Sequence, residues 1–395
     1  MDPVDNPYQP GAGCDPPELA GRDAILKTAE IAFKRIRGGK VEQGLMLTGL
    51  RGVGKTVLLE RLRLIADEQG YITDMMESPE GGNLSLLLVP SLKQILLKLS
   101  AVEMAKDLSV RALRVLKGFS LSLGYAGADF KIKYAPEEGT ADSGFLERDL
   151  PELFIAVGEA ARAAKSSVAI LLDEIQYLSK GDLTALVVSA HKVSQRKLPL
   201  SIMGAGLPLI PALTGQAKTY SERLFRYSIV GPLSPADARA AIASPAAELG
   251  VAFEPKALDA IVKKTEGYPY FLQEWGSAVW NVAKKSPITL ADVDIAEEAA
   301  IEKLDESFFR MRLESVTAVE EKYMRAMAEL GAGPYPSGTI AKTLGRTAKA
   351  CGVARDSLIK KAMIYSPRRA TLAFTVPLFD RYMRRAIPNF KSKAA

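Results

Sequence analysis

Apolar positions along this chain follow two periods, and the period changes from one segment to the next. Gly44-Leu45-Met46-Leu47-Thr48 and Val168-Ala169-Ile170-Leu171-Leu172 are nearly continuous apolar runs, the pattern of strands buried on both faces. Tyr71–Met76 and Pro199–Gly204 read as two further strands. Between them apolar residues recur at helical spacing. Ile25, Ala29, Ile31, Ala32 and Ile36 mark one helix over 23–37, and others are expected after residue 56, over 84–117, 150–164 and 182–194. Strands alternating with helices predict an α/β fold with a parallel, helix-covered sheet. One stretch departs from this. The alternating FSLSL and FKIKY within 118–145 predict a β-hairpin, inside an insertion of about 100–145.

From Ser234 the pattern turns wholly helical. Ser234-Pro235 starts one helix with a capping residue followed by Pro at the first position. Further helices are expected at about 255–265, 269–284 and 289–302, a small helical lid. The last segment holds helices at about 317–330, 339–344 and 353–364. A turn, Ser366-Pro367-Arg368-Arg369, and an alternating strand, Thr371–Val376, follow. Three helices and a short hairpin in that order predict a winged helix, a helix-turn-helix variant. The expected organisation is an extended arm over 1–17, an α/β core over 18–230, a lid over 231–305 and a winged helix over 306–395.

Charge sharpens the picture by region. Residues 310–395 carry 17 Lys and Arg against 6 Asp and Glu, while the rest of the chain is mildly acidic. A basic module on an acidic body is the footprint of a polyanion-binding surface. No apolar run reaches the roughly 18 residues of a membrane span, and the start MDPVDNPYQPGAG lacks a signal peptide's basic and apolar regions. Two distant cysteines, Cys14 and Cys351, fit neither a metal site nor a disulfide framework, so a reducing cytoplasm is expected. The single histidine, His191, reads as an ordinary helix residue.

The chemistry concentrates in two places. GLRGVGKT at 49–56 matches G-x-x-x-x-G-K-[ST], between a strand and a helix where phosphate binding needs it. Gly49, Gly52 and Gly54, with Val53 between them, let backbone N–H groups form an anion nest, and the helix start at Lys55, Thr56 and Val57 adds its positive end. Lys55 is expected to reach the outer phosphates and Thr56 to ligate Mg²⁺. The second place is the end of the apolar run before Asp173-Glu174. A buried parallel strand delivers both carboxylates at the edge where α/β proteins bind ligands. Asp173 is expected to hold the magnesium shell and Glu174 to polarise the attacking water. Near the C-terminus Arg355, Ser357, Lys360 and Lys361 share the outer face of one helix, and Arg368 and Arg369 tip the wing. Arg355, Lys360, Lys361, Arg368 and Arg369 are expected to contact DNA, mostly at its phosphates.

Across nearly its whole length the chain resembles AAA+ ATPases of the origin-recognition and replication-initiator type, and their relatives among the STAND signalling NTPases. Asn6-Pro7-Tyr8 and Pro17-Glu18-Leu19-Ala20-Gly21-Arg22-Asp23 are similar to the initiators' N-terminal segment, which packs around adenine. With no N-K-x-D sequence present, the resemblance implies ATP as the nucleotide. Ser221-Glu222-Arg223-Leu224 resembles the segment whose arginine finger reaches the γ-phosphate bound by a neighbouring subunit, which implies a homo-oligomer; Arg226 could serve in place of Arg223. Two features differ. Gly204-Ala205-Gly206-Leu207-Pro208 stands where AAA+ proteins usually place a polar sensor residue. Gly267-Tyr268-Pro269 stands where initiators usually carry a sensor arginine, and is similar to the STAND lid motif whose proline, here Pro269, packs on the nucleotide. Together these imply a slowly hydrolysing switch. Two readings follow: an ATPase assembling on double-stranded DNA through its winged helix, or a STAND-like regulator whose winged helix and 100–145 insertion dock a protein partner.

Overall fold

The computed structural model describes residues 1–11, 19–124 and 132–390. Cys14, Pro17, Glu18 and the centre of the expected hairpin lie outside them. The chain divides into two compact units, Arg22–Thr48 with Lys55–Ile229, and Met1–Gly21 with Gly49–Gly54 and Val230–Ala395.

The first unit is the sheet unit. In chain order it holds α1 (Asp23–Arg37), β1 (Gly44–Thr48), α2 (Lys55–Glu68), β2 (Tyr71–Glu77), α3 (Leu84–Ser100), α4 (Lys106–Ser122) and α5 (Leu146–Ala163). There follow β3 (Ser167–Asp173), α6 (Lys180–Gln195), β4 (Leu200–Gly206), α7 (Ile210–Ala217) and β5 (Phe225–Ile229). The five strands are parallel in the order β2-β3-β4-β1-β5. All seven residues of β3 are buried, which is why its sequence is apolar without alternation. Register places Thr48 beside Gly206 and Glu77 beside Asp173, so the loops leaving β1, β3 and β4 emerge at one edge. A second layer of packing, Leu88, Leu92, Leu96, Leu113, Leu116 and Phe119 with Leu153 and Phe154, fastens α3 and α4 to α5. Side chains of this size stabilise by roughly 1.5–3 kcal/mol each on burial.

The hairpin expected within 118–145 is not what forms. Phe119, Leu121 and their neighbours are the last turn of α4, and Ile132–Tyr134 is not a strand. FSLSL alternates, but Val115, Leu116 and Phe119 complete an i, i+3, i+4 face that buries against the sheet unit's core, and tertiary packing decides. The stretch 84–117, expected to be helical, is formed by α3 and the greater part of α4, separated by a 3-10 turn at Glu103–Ala105.

The second unit is helical. It contains α8 (Pro235–Glu248), α9 (Pro255–Thr265), α10 (Pro269–Val282), α11 (Leu290–Leu304), a π-helical turn Asp305–Arg310, and α12 (Met311–Glu314). Then come α13 (Ala318–Leu330), β6 (Tyr335–Pro336), α14 (Ser337–Thr343), α15 (Gly352–Lys360), β7 (Ile364–Tyr365), β8 (Thr371–Phe374) and α16 (Phe379–Ala386). The three short strands pair antiparallel in the order β6-β8-β7. Caps written in the sequence fix several helix starts. Ser234 accepts from the Asp237 N–H, and Thr289 with Asp292 and Thr317 with Glu320 form reciprocal capping boxes, each interaction worth about 1 kcal/mol.

The described N-terminal residues 1–11 are anchored within the helical unit. Tyr8 is buried in the helical core and its hydroxyl donates to the Ile242 carbonyl at 2.6 Å, while Asn6 donates to Ser277 and Asn281. Among the described residues no helix is long and apolar enough to cross a membrane.

Candidate nucleotide site

In the sheet unit the chemistry gathers at the strand ends. α2 begins at Lys55, which is buried to 6% exposure, followed by Thr56. The Thr56 hydroxyl donates to Asp173 Oδ2 at 2.6 Å, and the Glu174 N–H donates to Asp173 Oδ1 at 2.8 Å. Burial pushes the Asp173 carboxyl up from its ordinary range, with Glu174's charge adding to this; hydrogen bonds from Thr56 and Glu174, and the charge of Lys55, pull it down without cancelling the rise. Glu174 leaves the strand in a left-handed conformation, φ 52° and ψ 39°, uncommon for a residue with a side chain. Its Oε2 accepts from Gln176 Nε2, and Gln176 Oε1 in turn accepts from the Leu207 N–H at 3.0 Å. The sequence does not point to Gln176. Its signal, a carboxamide two residues beyond a carboxylate, is too common to single out.

The glycine loop itself belongs to the helical unit. Gly52 and Gly54 have φ of 77° and 85°, the left-handed region the loop requires and residues with side chains avoid. A Cβ at Gly49 would lie 2.1 Å from the Val230 carbonyl oxygen. Val53 is buried. The Gly52 carbonyl accepts from the Tyr270 N–H at 3.2 Å, and the Arg51 N–H donates to the Thr375 carbonyl at 3.1 Å. Tyr270 follows Pro269, which is the first residue of α10, and stacks on Phe308 at 4.7 Å between centroids. Pro269 therefore opens the helix whose next residue holds the loop.

Asp173 and Thr56 offer a carboxylate and a hydroxyl in mutual contact, the hard oxygen donors that Mg²⁺ takes. The two left-handed glycines give the loop the shape of an anion cradle. In the sheet unit, Thr56 and Asp173 thus fit a magnesium ion.

Other expected residues fall elsewhere. Arg223 ends a 3-10 turn, Thr219–Arg223, just before β5, and both it and Arg226 are exposed. Gly44 pairs with Phe225, so Arg223 sits at the N-terminal edge of the sheet, a strand's length (about 16 Å) from the Asp173 edge. There it lines a cavity of about 170 Å³ with Lys40, Lys197 and Ser201, on the side away from the carboxylates. His191 lies on α6 with its ring 4.8 Å from that of Tyr220.

In the C-terminal segment Lys360, Arg368 and Arg369 are exposed, the last two in the β7–β8 turn. Arg355 pairs with Asp356. Lys361 differs from the expectation: its Nζ lies 2.8 Å from Glu320 Oε2 and donates to the Ser315 carbonyl at 2.9 Å. That cation holds the start of α13 and is not free for phosphate. Glu320 is buried; desolvation pushes its carboxyl up, but hydrogen bonds from Lys361, Ser357 and Thr317 outweigh that and hold it at about 2. Arg325, Arg381, Arg384 and Arg385 are likewise paired with carboxylates. Lys342, Arg346, Lys349, Lys360, Arg368 and Arg369 are exposed with no carboxylate partner among the described residues.

A strand running into a glycine loop closed by Lys-Thr, with a second parallel strand delivering an acidic pair at the same edge, defines a P-loop nucleotide hydrolase. Residues 18–203 match the family described as AAA ATPase domain. Residues 306–383 match "Domain of unknown function (DUF8462)". No curated protein matches the sequence. Among solved structures the fold is similar to the Walker-type ATPase paby2304 of Pyrococcus abyssi, with 16% identity, TM-score 0.54, and 93% of this chain and 96% of that chain covered. The RuvB Holliday junction branch migration motor of Thermotoga maritima aligns at 15% identity and TM-score 0.44, covering 94% and 98%. The Orc1 protein of Aeropyrum pernix, solved in complex with DNA, aligns at 15% identity and TM-score 0.44, covering 94% of each.

Proposed function

We propose that this protein is a slowly hydrolysing ATP switch that assembles as a homo-oligomer on double-stranded DNA. Lys55 and the loop amides bind the phosphates, Thr56 and Asp173 hold Mg²⁺, and Glu174 orients the attacking water. When bound, the metal supplies charge neutralisation on the phosphates. The observation that carries the nucleotide half is the contact of Thr56 with Asp173 beside Lys55 and Glu174. Arg223 acts in trans on a neighbouring subunit's nucleotide, a reading supported by its place at the sheet edge opposite its own chain's carboxylates.

DNA binding rests on the C-terminal segment, read as a winged helix from three helices and a three-stranded antiparallel sheet in the order α13-β6-α14-α15-β7-β8. Six exposed cations without carboxylate partners, from Lys342 to Arg369, supply the phosphate contacts. A second reading, docking of a protein partner, is favoured by the exposed apolar side chains Leu97, Met104, Leu121 and Phe145 on the stretch from α3 to α5. The deciding experiment is duplex binding by the full chain, titrated with salt, with and without ATP. A steep fall of affinity with salt and tighter binding with ATP support the DNA switch. Affinity absent at low salt in both nucleotide states moves the protein-docking reading ahead.

A further inference from the structure

The Gln176 carboxamide is fixed at both ends. Its Nε2 donates to Glu174 Oε2, and its Oε1 accepts from the backbone N–H of Leu207, the first residue after β4. A donor facing a carboxylate and an acceptor facing an N–H allow only one orientation of the amide. Room for it exists because position 206 is glycine: a Cβ there would lie 2.2 Å from Gln176 Oε1. The strand that ends in small residues where a polar side chain is usual is therefore not bare at its tip. A carboxamide from the neighbouring strand's loop covers it.

We propose that Gln176 is a positioning residue for hydrolysis, holding the Glu174 carboxylate in a set orientation against the end of β4. The inference rests on Glu174 being the activating group. Glu174 follows the strand in a left-handed conformation, an unfavourable placement for a residue with a side chain that persists only where surrounding structure determines it. The Gln176 bridge is one part of that determination. A role limited to tying β3 to β4 is a poor account of it. The two strands are already in register from Val168–Leu200 to Leu172–Gly204, and such a tie needs only the acceptor, whereas Gln176 spends its donor on the carboxylate.

The test is single-turnover hydrolysis of radiolabelled ATP by the full chain, with nucleotide affinity measured alongside. The parent is compared with Gln176→Leu, Gln176→Glu, Glu174→Gln and the double variant Glu174→Gln/Gln176→Leu. Loss of orientation should slow Gln176→Leu by about 10- to 100-fold while nucleotide affinity stays within about two-fold. Gln176→Glu keeps an acceptor for Leu207 but sets a carboxylate against Glu174, and should be as slow; it keeps the test open where the leucine variant folds poorly. If Gln176 acts through Glu174, the double variant should be no slower than Glu174→Gln, within about two-fold. Parent-like turnover in either Gln176 variant beside a slow Glu174→Gln overturns this inference alone, as does a full further loss in the double variant. Parent-like turnover in Glu174→Gln overturns the activator reading and this inference with it.

Discussion

Thr56 and Asp173 stand 117 residues apart in sequence and meet at 2.6 Å, hydroxyl to carboxylate oxygen. Two strands lying in one parallel sheet, with β4 between them, bring them together. The contact sets a hydroxyl against a buried carboxylate, the pair of oxygen donors on which the proposed magnesium site rests.

Lys55→Ala should abolish the thermal stabilisation that ATP confers. A ligand at 100 times its Kd adds about 2.7 kcal/mol to the native state, and a melt with and without ATP reads that difference. A variant stabilised as much as the parent removes Lys55 from the phosphate site. Equal stabilisation of the parent by GTP would remove the preference for adenine.

Glu174→Gln should bind ATP with parent affinity and accumulate in the ATP-bound form. The carboxamide keeps the shape and loses the charge that orients water. Bound nucleotide recovered after gel filtration and analysed as ATP or ADP checks this.

Arg223→Ala should lower turnover only at protein concentrations where subunits meet. Specific activity of the parent should rise with concentration and then level off, and that of the variant should stay low throughout. A flat parent profile excludes a finger shared between subunits, and Arg226→Ala separates the two arginines.

The C-terminal cations divide into two groups with opposite signatures. Neutralising Lys360, Arg368 and Arg369 with Arg346 should weaken duplex binding on all sequences, with little change in Tm. The log–log salt slope should become shallower by about 0.9 for each DNA phosphate that is no longer neutralised. Lys361→Ala should do the reverse, lowering Tm while leaving the salt slope unchanged, because its partner is the buried Glu320.

Glu320 also sets a pH dependence. Its carboxyl is held at about 2 in the folded chain, below the ordinary value near 4.3. A depressed carboxylate stabilises the fold above its unfolded pKa, and that contribution is lost as pH falls through the folded value. Glu320→Gln should therefore melt several degrees below the parent at pH 6, and the gap should close between about pH 4.5 and pH 2. A gap independent of pH assigns the difference to packing rather than to charge.

Most of the sheet is legible in the sequence because each strand there has a simple cause. The runs ending at Thr48 and at Asp173 are apolar on both faces, and only a covered parallel strand needs that. The loop motif names its own residues, since the left-handed turns at 52 and 54 admit little but glycine. β5 is not legible, because Phe225–Ile229 is only half buried and carries Arg226 and Ser228 in a five-residue run. The end of α4 is hidden where its sequence alternates, since burial against α3 and α5 outweighs a five-residue pattern. The charge of the last segment is legible as a total, but its use is not. Composition cannot tell a lysine bound to Glu320 from one facing solvent, because that depends on which carboxylates the fold brings alongside.

The hydrogen bond from the Arg51 N–H to the Thr375 carbonyl carries a lesson for whoever dissects this protein. Thr375 is fully buried and its hydroxyl donates to the Ala362 carbonyl at 2.6 Å, so the acceptor is rigidly presented. Cutting the chain ahead of β8 to obtain an isolated ATPase core would strip an amide in the middle of the glycine loop of its acceptor. It would also leave Tyr270 and Phe308 without the C-terminal aromatics, Phe379 and Tyr382, that pack on Phe309 beside them. Because the proposed phosphate site includes that loop, a truncated core is expected to differ from the parent in nucleotide affinity. Any difference between the two would measure the removed segment's grip on the loop before it measured anything about DNA.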